Sequence, residues 1–154
     1  MSATVRTIVL YVNWNSSWDL GVIDRMQVRP DSPDERPVES RAYHSSAAFI
    51  REDFDAVIAV HVFGELDIAN AKDFEAAVEG AEPDLGAERL LVIDLGTCTF
   101  LDSTALQVVV RSHQRLVDRL VVIVPEASAI HRVFRITSLD QRISIVEDLS
   151  KVLP

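Results

Sequence analysis

Two short apolar runs constrain this chain more than any other feature. They are Leu90-Leu91-Val92-Ile93-Asp94-Leu95, closed by Gly96, and Leu120-Val121-Val122-Ile123-Val124, stopped by Pro125. Each is too short for a buried helix and neither alternates apolar with polar residues. That pattern suits strands covered on both faces, as in a parallel sheet flanked by helices. Between and around them the period changes. Val57 to Phe63 is β-branched and followed by Gly64, and both of its faces, Ile58/Val60/Val62 and Ala59/His61/Phe63, are largely apolar, which predicts a central strand. Phe49 to Phe54 is a weaker strand candidate before it, and Arg142 to Glu147 a last short one.

Helical spacing fills the gaps. Asn70 is a suitable N-cap for a helix carrying Ala71, Phe74, Val78 and Ala81 on one stripe and ending near Gly80 to Pro83. Leu106, Val109, Val110, His113 and Val117 predict a second helix, and Ile130, Val133 and Phe134 a third that begins near Glu126. The order ββαβαβαβ predicts an α/β fold, a mixed sheet of about four to five strands with helices packed on it.

With 154 residues, 48% of them hydrophobic, the chain has material for one core and not for two ordinary domains. The ordered domain is expected over residues 46–154. Residues 1–45 read as an N-terminal extension: Ile8 to Val12 is a short strand candidate, followed by Trp14 and Trp18. Beyond them Pro30, Pro33 and Pro37 stand among charged residues in what reads as a flexible linker.

Charge excludes some functions. The net charge of −9, from 15 basic and 24 acidic residues, opposes the phosphate neutralisation that nucleic-acid binding needs. It equally disfavours adhesion to an anionic membrane surface. No apolar run exceeds about five residues, against the roughly 20 a spanning helix requires, so no membrane insertion is expected. Residues 1–25 lack the basic start and apolar stretch of a secretory signal, and the lone Cys98 reads as a buried thiol. A cytoplasmic location is the expectation.

The chemistry-bearing residues are sparse. His44, His61, His113 and His131 lie far apart and none pairs with Cys98 at metal-ligand spacing, so no metal and no cofactor is expected. The five glycines form no phosphate-binding loop. Glu65 and Asp67 read as turn and cap residues at a strand end rather than as an acid/base pair. Asp102, Ser103 and Thr104 have no histidine matched to them for nucleophilic catalysis, so no enzyme is expected. This Asp-Ser-Thr segment nevertheless opens the best amphipathic helix of the chain. Two readings stand side by side: its oxygens cap the orphan N–H groups of the helix, or one hydroxyl faces solvent where the helix N-terminus accommodates a phosphate.

Several motifs, taken in order, resemble the STAS family, the domain of bacterial anti-sigma factor antagonists. They are Gly64-Glu65-Leu66-Asp67 after the second strand, Asp94-Leu95 at a strand end, Phe100-Leu101-Asp102-Ser103-Thr104-Ala105-Leu106 opening a helix, and Thr137-Ser138-Leu139 after the last helix. The resemblance covers about residues 47–154. It implies a non-enzymatic binding switch whose phosphoacceptor is Thr104, with Ser103 the alternative. Asp102, Ser103 and Thr104 would form the partner-binding patch, with Asp67 beside it. The implied partner is an anti-sigma factor that is also a Ser/Thr protein kinase and supplies the ATP. The unphosphorylated antagonist binds that kinase and frees the sigma factor, and a phosphatase resets the switch.

This sequence departs from the family pattern at Ala105 and Ser138, where the family has glycine. It also lacks the family's common glycines in the turn Val117-Asp118-Arg119. Other STAS domains are not phosphorylated and serve as scaffold subunits of lipid-transport or stress-sensing complexes, which is the competing expectation.

Overall fold

The computed structural model describes residues 6–10 and 47–153. A mixed sheet runs in the order β1 (Arg6–Leu10), β2 (Ala47–Asp53), β3 (Val57–Leu66), β4 (Leu90–Leu101), β5 (Leu120–Ile123) and β6 (Ser144–Val146). β1 with β2 and β2 with β3 are antiparallel, and the three later pairs are parallel. Each parallel pair is joined through a helix: α1 (Ala71–Ala81), α2 (Ser103–Leu116) and α3 (Ala129–Ile136). Crossovers of one hand, stepping always in one direction across the sheet, place all three helices on one face. The five strands and three helices after residue 46 follow the expected ββαβαβαβ order. β1 adds a sixth strand at the edge, where Ile8 to Val12 was the candidate; Tyr11 and Val12, like Trp14, Trp18 and the Pro-rich linker, lie outside the described residues.

The main core lies between the helices and one sheet face. Phe49, Ile58, Val60, Val62, Leu91, Ile93, Leu120 and Val122 meet Phe74, Val78, Val108, Val109, Ile130 and Phe134 there, all essentially excluded from water. Phe49 and Phe74 stack with ring centroids 5.9 Å apart. A smaller cluster, Val57, Ala59, Val92, Val121 and Ile123, occupies the other face, where Leu149, Val152 and Leu153 of the C-terminal segment cover it. This second layer is why β4 and β5 read as unbroken apolar runs.

Local expectations are revised in four places. Gly96 does not close a strand; β4 runs on to Leu101 through two irregularities. Helix α3 starts at Ala129, three residues later than Glu126, because the Ser128 hydroxyl caps it by accepting from the His131 N–H at 3.0 Å. The Asn70 side chain makes no cap bond to α1. The buried stripe of α2 is Ala105, Val108, Val109, Ser112 and Leu116, while Leu106, Val110 and His113 are half-buried at its flanks and Val117 is exposed beyond the helix end. Small side chains at 105 and 112 let the helix approach its neighbours, and a reading that weights large apolar residues misplaces the stripe by about one position.

Two residues that stand where the family has glycine, or close to such a turn, adopt positive φ: Val117 at 50° and Ser138 at 56°. For L-residues this region costs roughly 1–2 kcal/mol, more for a β-branched side chain. Val117→Gly and Ser138→Gly are each expected to raise unfolding stability by up to about 1 kcal/mol once the added freedom of the unfolded chain is set against the relieved strain. Urea denaturation of the two variants measures it.

On the sheet face opposite the helices, His61 bridges two acids. Its Nδ1 lies 2.7 Å from Asp94 Oδ2 and its Nε2 3.1 Å from Glu52 Oε2, so one imidazole links β2, β3 and β4. The hydrogen bond to Asp94 is the largest influence and raises the His61 pKa against the opposing effect of burial. Burial pushes Asp94 up, but hydrogen bonds from His61 and the Gly96 N–H bring it below its ordinary value. His61 is therefore a half-buried tie between three strands. The stabilisation from its raised pKa is complete below the ordinary histidine value near 6.5 and is lost as pH rises through the folded-state value. The Asp94 contribution is lost at the acid end instead. The thermal midpoint should fall as pH rises above about 6.5, and His61→Gln should flatten that slope; an unchanged slope in the variant assigns the dependence elsewhere.

Candidate functional site at the start of the second helix

The site is built where β3 and β4 end together. Between the pairs His61/Asp94 and Phe63/Thr97, β4 holds one residue more than β3, and it does so again between Gly64/Cys98 and Glu65/Phe100. Side chains secure both irregularities. Asp94 Oδ1 accepts from the Gly96 N–H at 2.8 Å, the Thr97 hydroxyl donates to the Val62 carbonyl at 2.9 Å, and the Thr99 hydroxyl to the Gly64 carbonyl at 3.3 Å. A Cβ at Gly96 would stand 2.9 Å from Asp94 Oδ1, so a larger residue here would have to displace the carboxylate. The Cys98 thiol donates to the Phe100 carbonyl at 3.1 Å, and burial raises its pKa, so it stays protonated and structural.

Asp102 then joins strand to helix. Its backbone N–H donates to the Leu66 carbonyl at 3.0 Å, and its carbonyl accepts from the Leu106 N–H at 2.9 Å. Its backbone is extended at φ −87°, ψ 177°, and its carboxylate accepts from the Ala105 N–H at 2.9 Å. The capping function is thus met by a carboxylate, which also complements the helix dipole. The hydroxyls are left over. Ser103 is exposed and Thr104 half-buried, and neither hydroxyl has a hydrogen-bond partner among the described residues.

Ala105, in place of the family glycine, is fully buried. Its methyl points into the core and not toward a docking protein, so the departure bears on packing rather than on access to Thr104.

Across from Asp102 a tight turn leads from β3 into α1. The Asp67 carbonyl accepts from the Asn70 and Ala71 N–H groups at 3.2 and 2.8 Å, and the Asp67 carboxylate accepts from the Ala69 N–H at 2.8 Å. Asn70 Oδ1 accepts from the Asp67 N–H at 3.0 Å, and its amide donates to the Glu65 carbonyl at 2.8 Å. Asn70 therefore staples the turn rather than capping the helix. Asp67 is the expected turn residue. Glu65 is not: it stands exposed on β3, beside Phe100 in register. The structure brings Asp67 and Asp102–Thr104 to neighbouring strand ends of one sheet edge. Sequence reasoning missed the exposed apolar residues there, Ile68 and Phe100, because an apolar residue in a turn or strand reads as core by default.

Among the described residues no group of three or more His, Cys, Asp or Glu side chains is placed to hold a metal ion. No helix among them is long and apolar enough to cross a membrane.

A mixed sheet with its three helices on one face, and a strand-to-helix junction presenting uncommitted hydroxyls, defines a small α/β domain. A family model for the STAS domain matches residues 47–152, and the chain belongs to that family. Among solved structures it is similar to an anti-sigma factor antagonist from Mycobacterium paratuberculosis, with 28% identity and a TM-score of 0.62, covering 69% of this chain and 90% of that one. A putative anti-sigma factor antagonist from Thermotoga maritima shares the fold at 23% identity and a TM-score of 0.57, over 68% of this chain and 90% of that one. So does the Bacillus cell fate determinant SpoIIAA in its phosphorylated form, at 20% identity and a TM-score of 0.50, over 68% and 96%. Comparison with curated proteins gives no significant match.

Because the Asp102 carboxylate caps α2, Asp102→Ala should cost about 1 kcal/mol and Asp102→Asn much less. Equilibrium unfolding of the two variants checks this, and equal losses would contradict the cap.

Proposed function

We propose that this chain is an anti-sigma factor antagonist, a non-enzymatic switch that binds an anti-sigma factor acting as Ser/Thr kinase and is released from it by phosphorylation at Thr104. The observation that carries the reading is the division of labour at the start of α2: Asp102 caps the helix, and the Thr104 hydroxyl is left without a hydrogen bond among the described residues. The exposed Ser103 hydroxyl is the alternative acceptor. Membership of the STAS family and similarity to anti-sigma factor antagonists support the same reading.

The chemistry is phosphoryl transfer. The kinase supplies ATP and a base that takes the Thr104 proton. A bond forms between Thr104 Oγ1 and the γ-phosphorus, and the bond to ADP breaks. The product side chain carries about −1.5 to −2 charge at neutral pH. On the free domain that charge sits at a helix N-terminus, worth perhaps 0.3–1 kcal/mol, and the nearby Asp102 carboxylate offsets part of it. The fold therefore survives modification. In the complex, burying an unpaired dianion costs several kcal/mol, and 3 kcal/mol already exceeds a hundredfold in affinity. The interface term dominates, so phosphorylation releases the partner, the sigma factor is recaptured, and a phosphatase restores the binding form. Asp102, Ser103 and Thr104, with Asp67 on the adjoining turn, make up the recognition patch.

Incubation with a kinase-type anti-sigma factor and ATP, followed by mass spectrometric mapping, should place phosphate on Thr104. Thr104→Ala should bind that kinase whether or not ATP is present, and Thr104→Glu should bind at least about a hundredfold more weakly. Equal affinities for the two variants, or no modified residue, would favour a STAS scaffold that is never phosphorylated.

A further inference from the structure

Five large apolar side chains are exposed among the described residues: Phe63, Ile68, Phe100, Val117 and Ile136. They are not scattered evenly. Val117 and Ile136 follow or end helices that run back toward the opposite end of the sheet. Phe63, Ile68 and Phe100 all belong to the end where β3 and β4 finish and α2 begins. Ile68 is 76% exposed and Phe100 50%. Ile68 is held there firmly, in the turn fixed by Asp67 and Asn70 on both sides of it. A rigid turn presenting an aliphatic side chain to water has its ordering cost met before association, which is the property of an interface anchor.

Glu65 lies beside Phe100 in strand register. Among the described residues Arg51, Arg89, Arg111 and Arg115 pair with Asp53, Asp84, Glu75, Glu79 and Glu82, not with Glu65. The Glu65 carboxylate makes no hydrogen bond or ion pair among the described residues. Lys72, in the first turn of α1, is the nearest cation in sequence to this edge.

We infer that Ile68 and Phe100 are the apolar anchors by which this edge docks its partner, and that the partner meets them with an apolar surface carrying a cation opposite Glu65. The inference rests on the proposed function, in which the partner is the anti-sigma kinase, and it specifies the chemistry of that kinase's docking face.

The test uses the full chain and the kinase-type anti-sigma factor that modifies it, with affinity measured by calorimetry. Ile68→Ser and Phe100→Ser should each weaken binding by about 30-fold or more. Ile136→Ser, equally exposed at the far end, should bind like the parent chain. Glu65→Gln should lower the association rate and flatten its dependence on salt. Parent-like affinity in both anchor variants, with Thr104 still phosphorylated, overturns the anchors while leaving the switch intact. Loss of binding in Ile136→Ser as well would mean a general surface effect and also overturn them. If no kinase binds the parent chain, the anchors fall together with the proposed function, and the absent phosphate on Thr104 distinguishes that outcome.

Discussion

The pairing of β3 with β4 carries the rest of this molecule. These are the longest strands, 10 and 12 residues, and they pair in parallel. Parallel pairing obliges a crossover, which is α1, and both faces are buried where residues 57–60 run beside residues 91–93. It also decides where function is placed, since both strands finish at one edge and hand over to α1 and α2 there. Two extra residues in β4 change its register in stages, so that Leu101 finishes opposite Leu66 and the Asp102 N–H meets the Leu66 carbonyl. Without that alignment the start of α2 would not stand beside the Asp67 turn.

In the proposed switch, Asp102 keeps structure apart from regulation. Had a serine or threonine capped α2, phosphorylating it would have altered the group that bonds the first turn. With the carboxylate in that role, a change at Thr104 leaves the first turn bonded as before. A switch that must bind, release and bind again gains from this separation, since its two states then share one fold and differ only at the surface.

The strand order and helix count were legible because burial on two faces leaves a plain mark: Leu90 to Ile93 and Leu120 to Val124 are apolar without alternation. The cap at Asp102 was legible as one of two readings, and only the geometry assigns it to the carboxylate rather than a hydroxyl. Other features left no comparable mark. The extension of β4 past Gly96 depends on Asp94, Thr97 and Thr99 binding backbone groups of the irregular strand, and such bonds have no periodicity to read. The stripe of α2 was misplaced because Ala105 and Ser112 are buried for their small size. Asn70 looks like a helix cap in sequence, yet its amide joins Glu65 to Asp67 through contacts between residues that are near in sequence but set by the turn.

The glycines missing from the family pattern fall into two physical kinds. At 105 the replacement is an alanine on the buried side of a helix, where it favours helix by about 1 kcal/mol over glycine and touches no partner. At 138, and in the turn at 117, the backbone has positive φ, so the replacements carry strain on the surface. The first kind sits next to Thr104, the proposed phosphoacceptor, and the second kind does not. Val117 and Ser138 follow the ends of α2 and α3, which start beyond the C-terminal ends of β4 and β5 and run back along the sheet. The strain is therefore stored at the end of the domain opposite Thr104, where it lowers stability without deforming the surface that a partner would meet. A chain can diverge in this way and keep the proposed switch, provided the junction at Asp102 is left alone.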